Sequence, residues 1–226
     1  MRSSLLVPFL LLLPACRSTE EADEPTTDTD WIALFDGETT DGWRGYRSDE
    51  VPAAWQVVDG ALVLDGSGGD LITVDTYGDF VLELEWKISP GGNSGVFFRA
   101  TEDTDVIYMN AAEIQVLDNA GTGMEPTSVH AAGANYALHG PPGDFARPAG
   151  EWNHMRIECR GPRVVQFLNG HLVCEYELWS PEWEALVAAS KFSAWPGYGR
   201  ATRGHIGLQD HGNRVAYRDI RLLALD

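Results

Sequence analysis

Three short apolar segments carry polar residues at alternate positions, and these are the residues that could do chemistry. In "AEIQVLD" a period of two puts Glu113 and Gln115 on one face and Ile114 and Val116 on the other. In "HIGLQDHG" it groups His205, Gln209 and His211 against Ile206 and Leu208, and in "NSGVFFR" it groups Arg99 with Phe97 and Gly95. If the three faces are the same one, Arg99, Glu113, Gln115, Gln209 and His211 line a single groove. The plainer reading is that each is the solvent face of an antiparallel strand. A Gln repeated at strand centres fits that reading poorly, because Thr or Lys serves a solvent face better.

By parity Asp118 and Asp210 point the other way. Asp118 heads "DNAGTG" and reads as a turn-fixing residue. Asp210 either accepts from a loop amide or orients the His211 imidazole toward a substrate. Trp195 and Tyr198, in the Gly/Pro-rich loop "SAWPGYG", are candidate stacking platforms for a sugar, and His130 is a further substrate-binding candidate. His130, His139, His205 and His211 accompany Glu113 and several Asp residues, so a divalent metal ion remains open, with no diagnostic ligand spacing. No G-x-S-x-G, H-E-x-x-H or Walker pattern occurs. The strand "EIQVLD" resembles the E-x-D-x-x-E strand of retaining β-glucanases only superficially. Such enzymes need two carboxyls about 5–5.5 Å apart, whereas Gln115 holds the middle position and Glu113 and Asp118 face opposite sides.

Short alternating runs bounded by Gly, Pro, Asn and Asp recur through the 226 residues, with almost no helical period. About a dozen strands in residues 31–226 predict an all-β fold, a single two-sheet jelly-roll sandwich with at most one or two short helices. One helix is expected after Ser180, with Pro181 in its first turn. Asn169-Gly170 predicts a hairpin pairing Leu168 with His171. Reading Gly161-Pro162-Arg163 as a three-residue loop puts Met155, Ile157, Cys159, Val165, Phe167, Leu172, Cys174 and Tyr176 on one face. Cys159 and Cys174 then lie two strands apart, about 9.5 Å, beyond the roughly 7 Å a disulfide spans. Two buried free thiols are expected.

The N-terminus, "MRSSLLVPFLLLLPAC", has one Arg and an apolar run from Leu5 to Leu13, too short to span a membrane as a helix. Leu13-Pro14-Ala15-Cys16 resembles a bacterial lipobox, so residues 1–16 read as a signal that ends in lipidation of Cys16. Residues 17–30 are acidic and read as a solvated tether. The expected location is outside the cytoplasm, lipid-anchored to a bacterial membrane and facing periplasm or cell exterior. A net charge of −18 argues against nucleic acid or anionic membrane as partner, apart from that anchor.

Together "LFDGETTDGW", "NSGVFFR", "AEIQVLDN", "AGEWNHMRIECRG", "FLNGHLVCEYE" and "GHIGLQDHG…YRDIRL" resemble the 3-keto-disaccharide hydrolase family over residues 31–226. The usual "FRNI" is "YRDI" here, with Asp219 for Asn. The resemblance implies a concanavalin A-like jelly roll acting on glycosides already oxidised at C3. A C3 ketone acidifies the C2 proton, and loss of the C1 oxygen becomes a β-elimination that hydration completes. Such a site needs a base, an enolate stabiliser and an acid for the leaving group. The expected roles are His211 or Glu113 as base, Arg99 or a divalent cation at the enolate, and Gln115 and Gln209 orienting hydroxyls. A non-catalytic cell-surface carbohydrate-binding module is the competing class, and turnover of a keto-glycoside separates the two.

Overall fold

The computed structural model describes residues 30–225, so Cys16, the signal and the tether up to residue 29 lie outside the described residues. In chain order the strands are β1 (Ile32–Ala33), β2 (Trp43–Gly45), β3 (Trp55–Val58), β4 (Ala61–Leu64), β5 (Leu71–Thr73), β6 (Phe80–Ile88), β7 (Asn93–Ala100) and β8 (Ala112–Leu117). After the single-turn helix α1 (Asn119–Thr122) come β9 (Asn153–Arg160), β10 (Arg163–Leu168) and β11 (His171–Glu177). Helix α2 (Pro181–Ala189), β12 (His205–Leu208) and β13 (Val215–Ala224) follow. Eight strands form one sheet, ordered β11-β10-β9-β6-β13-β4-β3 with β1 paired to β13. Five form the other, β2-β5-β12-β7-β8, and the two sheets share one core.

The alternation that predicts strands also builds the layers. In β6, Phe80, Leu82, Leu84, Trp86 and Ile88 are buried between the sheets. Glu83 and Glu85 point outward, where Arg156, Arg221 and Arg218 pair with them. Asp59-Gly60 and Asn169-Gly170 each hold two successive positive φ values, the conformation of a two-residue hairpin turn, and Leu168 pairs with His171. Ser180 caps α2 by accepting from the Trp183 amide at 3.1 Å.

One hairpin differs from the sequence reading. Arg160 pairs with Arg163, so the connection is the two residues Gly161-Pro162 and the faces of β10 are exchanged. Val164, Gln166 and Leu168 turn to the core, while Val165 and Phe167 turn outward. The unpaired Val173 then restores Cys174 and Tyr176 to the inner side, because Phe167 pairs with Leu172 and Gln166 with Cys174. Leu172 is exposed, and Gln166 is buried with its amide donating to the Tyr176 hydroxyl at 2.9 Å. Cys159 and Cys174 are both buried and free.

A second bulge overturns the placement of Arg99. Ala100 pairs with His205 and Phe97 with Gly207, so β7 carries one residue more than β12 across this interval. Arg99 takes φ 50° and follows Phe98 inward. It donates to the Gly78 and Gly161 carbonyls at 2.9 and 2.8 Å and to the Asp79 carboxylate at 2.8 Å. Asp79 accepts in turn from the Gly161 amide. Arg99 thus clamps the β9–β10 turn to the β5–β6 connection. Replacing Arg99 by Met is expected to cost about 3 kcal/mol in urea unfolding. Turnover at saturating substrate should be unchanged where the variant is folded; a kcat loss without a stability loss would overturn the clamp.

Candidate active site on the outer face of the five-stranded sheet

Glu113 and Gln115 in β8 face away from the core, as their spacing requires. Across the sheet Glu113 is opposite Phe97 and Gln115 opposite Gly95. The Gln209 amide donates to the Gly95 carbonyl at 2.9 Å and continues the second row. A Cβ on residue 95 would lie 2.4 Å from Glu113 Oε1, so the carboxyl rests over the strand only because residue 95 is Gly. The segment after α1 returns along the free edge of β8. Gly133 donates to the Gln115 carbonyl, Gln115 to Ala134 and Tyr136 to Glu113, which raises Tyr136 as a wall.

The opposite wall comes from the Gly-rich turn before β5. Asp210 Oδ2 accepts from the Gly68 and Gly69 amides at 2.6 and 2.8 Å, and Oδ1 accepts from the Gly212 amide at 2.8 Å. The Asp210 amide donates to Asp70 Oδ1 at 2.8 Å. Of its two expected roles Asp210 performs the first: it pins the loop that presents Asp70. Burial raises its carboxyl, but the three amides together outweigh this and hold it below the usual range.

These elements enclose a cleft of about 250 Å³ lined by Asp70, Asn93, Val106, Tyr108, Glu113, Gln115, Tyr136, Lys191, Gln209, Asp210 and His211. Burial pushes the Glu113 carboxyl up to about 8. Lys191 opposes this, the Asp70 charge adds to it and a hydrogen bond from Gln209 offsets a little. Burial also raises Asp70, to about 6, with the Asp210 amide opposing and the Asp210 charge adding. Lys191 holds its ammonium 4.5 Å from the Tyr136 ring centre and 5.5 Å from that of Tyr108, a cation–π position beside Glu113. Gln115 Oε1 and Gln209 Oε1 are buried without a partner, and hydroxyl-bearing ligands would satisfy them.

The structure therefore brings together Glu113, Gln115, Gln209, Asp210 and His211, and sets His130 in the adjoining cavity. Arg99 is elsewhere. Tyr198 is not a stacking platform: it is buried, its ring 3.7 Å from that of Phe192 and stacked on Trp183. Trp195 does not line the cleft either but braces Tyr108 from behind, ring centres 5.6 Å apart. His139 stacks on Tyr176, and His205 bonds the Thr73 carbonyl at 2.7 Å. Among the described residues no three His, Cys, Asp or Glu side chains converge as a metal site. Asp70, Lys191, Tyr108 and Tyr136 escaped the sequence reading. Lys191 is one of two lysines in the chain and Asp70 closes a run of glycines, which are the signals that could have marked them. A larger cavity of about 520 Å³ on the other sheet, where Lys87 and Arg218 flank Trp152, holds no comparable buried carboxyls.

Residues 30–223 match the family described as the 3-keto-alpha-glucoside-1,2-lyase-like domain. The chain is 39% identical to a 3-keto-disaccharide hydrolase of Bacteroides thetaiotaomicron, over 89% of this chain and 81% of that one. A crystal structure from Parabacteroides distasonis, described as a glycosyl hydrolase, superposes with TM-score 0.81 at 28% identity, covering 89% of this chain and 98% of that one. A Bacillus licheniformis β-glucanase, at TM-score 0.53 and 13% identity over 87% and 97% of the two chains, shares the fold alone. With most of its length matched and a carboxyl-bearing cleft on a jelly-roll sheet, the chain belongs to the 3-keto-disaccharide hydrolase family of glycoside hydrolases.

Proposed function

We propose that the cleft breaks the glycosidic bond of 3-keto-glycosides by proton abstraction at C2, β-elimination and hydration. The observation that carries this is a pair of carboxyls, Glu113 buried and Asp70 half-buried, at about 8 and about 6, beside one ammonium group. Near neutral pH Asp70 is a carboxylate and Glu113 a carboxylic acid. Two carboxyls with environments that push them apart in this way divide the roles of base and hydrogen-bond donor.

Asp70 takes the C2 proton, and the electron pair forms a C2–C3 double bond with negative charge on the C3 oxygen. The Glu113 hydroxyl and the Lys191 ammonium receive that charge, the task first given to Arg99. When the pair returns, the C1–oxygen bond breaks and His211 donates a proton to the departing oxygen. The product is a 1,2-unsaturated 3-keto sugar. Water adds at C1 as the Asp70 proton returns to C2, and His211 recovers a proton, giving net hydrolysis. Glu113 is unsuited to the role of base because burial keeps it protonated. The name of the Bacteroides relative supports the substrate class, and the family's description as a 1,2-lyase supports elimination.

Export with a lipid on Cys16 belongs to the same reading, supported by Leu13-Pro14-Ala15-Cys16 after the apolar run. Cys16→Ser is expected to move the protein from the membrane to the soluble fraction of a bacterial host; unchanged partition would remove the anchor.

For a 3-keto-glucoside, kcat/KM should rise through about pH 6 and fall through about pH 8. Asp70→Asn should lose about 10²–10⁴-fold. Glu113→Leu should lose about 10²–10³-fold, while Glu113→Gln keeps a donor, loses less and no longer shows the falling limb. Full activity in Asp70→Asn would sink the assignment of the base. Stability carries a separate signature. Glu113 binds its proton more tightly folded than unfolded, so its contribution is complete below the model-peptide value of 4.5 and is lost as pH rises through about 8. Across pH 5–8 the wild type should lose stability relative to Glu113→Gln, by at most about 1.4 kcal/mol per pH unit in denaturant melts.

A further inference from the structure

The outer face of the eight-stranded sheet carries a cavity of about 520 Å³ that the proposed reaction does not use. Its form follows from the register. Lys87 on β6 is opposite Ala216 on β13, and Ala216 is opposite Val63 on β4, so these three share the outer face with Ala61 and Arg218 two residues on. The short side chains at the middle of that face, Ala61, Val63 and Ala216, cluster with Trp152 apart from the main core and make a floor. Longer ones, Lys87, Arg214 and Arg218, make the rim.

The rim has an unusual charge for this protein. The chain has 16 Lys and Arg against 34 Asp and Glu, yet three cations line this cavity with one carboxylate, Asp59. Two of the cations are paired. Arg214 gives Nη1 to Asp65, and Arg218 gives Nε and Nη2 to Glu85 at 2.7 and 2.6 Å. Each guanidinium keeps further N–H donors beyond those pairs. Lys87 is different: its ammonium lies 4.6 Å from the centre of the Trp152 ring, and among the described residues no carboxylate pairs with it. Trp152 also holds Arg218, whose guanidinium carbon is 4.1 Å from the ring centre, so one indole gathers both cations at the rim.

We infer that this cavity binds a pyranose carrying an anionic group, a carboxylate or a sulfate, at a site separate from the Glu113 cleft. Its volume lies within the roughly 300–1,000 Å³ of small-molecule pockets, which an apolar lining with a few placed polar groups characterises. The floor takes the apolar face of the ring. Lys87 and the remaining N–H groups of Arg214 and Arg218 take the anion, as charge-assisted donors. Such a sugar is poorly matched to the Glu113 cleft, where Asp70 is a carboxylate near neutral pH. The two sites lie on outer faces of different sheets, so an acidic glycan held at one leaves the other open.

Titration calorimetry with digalacturonate, its uncharged methyl ester and galactose 6-sulfate tests this. The wild type is expected to bind the acid or the sulfate at least about tenfold more tightly than the ester, and raising salt to about 0.5 M should remove most of the difference. Lys87→Met should weaken binding of the anionic sugar about tenfold. Lys87→Arg should keep it within about twofold, with circular dichroism showing both variants folded. Equal affinity for acid and ester, no binding of either anionic sugar, or unchanged affinity in Lys87→Met would overturn the site. Phosphatidylglycerol vesicles that capture the wild type but not Lys87→Met, with neither sugar bound, would overturn it in favour of a membrane surface. No arm reads turnover, so failure of the reaction proposed at Glu113 leaves the outcome here unaffected.

Discussion

Glu113 can lie across the outer face of the five-stranded sheet because nothing projects from residue 95 beneath it. That gap lets a carboxyl be 95% removed from water. Burial disfavours the charged form, so the group holds its proton near neutral pH. An ordinary strand would have put a side chain at position 95 and pushed the carboxyl into solvent, where it would ionise and serve a different chemistry. The absence of one methyl group therefore selects the protonation state on which the rest of the cleft depends.

Around that carboxyl the other groups arrive from far along the chain, each by a separate device. Asp70 is delivered by a glycine turn whose amides Asp210 gathers from 140 or so residues away. Lys191 follows α2, whose cap and aromatic neighbours set where the ammonium stands. Tyr136 is held by backbone pairing along the β8 edge, which also covers a strand that would otherwise offer unpaired groups. These walls bury the Glu113 carboxyl, and a hydroxyl so removed from water acts more strongly on a developing negative charge than it would in solution.

The β-glucanase shares the jelly roll with this protein, yet the local chemistry differs. Gln115 stands where a retaining β-glucanase-type strand would carry an acid, and Asp118 caps a helical turn instead of facing Glu113. The same sheet face thus presents two carboxyls, one on β8 and one from the turn before β5, at different affinities for the proton. Fold and function are separable here in the usual way, with chemistry set by a few side chains grafted on a common frame.

Much of this was legible in the sequence, for local reasons. Turn dipeptides such as Asp59-Gly60 and Asn169-Gly170 set hairpins, period-two alternation set the inward and outward faces of β6 and β8, and Ser180-Pro181 set a helix start. Hence Glu113, Gln115, Gln209 and His211 could be named together. Two bulges could not be read, because an extra residue is accommodated only if packing elsewhere accepts it; one turned Arg99 into a structural clamp and another restored Cys174 to the core. The sequence by itself determined the strands, their hydrophobic faces and half of the site, since those depend on neighbours in the chain. Only the tertiary structure decided that Asp70 and Lys191 join Glu113, that Tyr198 is core, and that a carboxyl keeps its proton, since each of these depends on burial by distant segments.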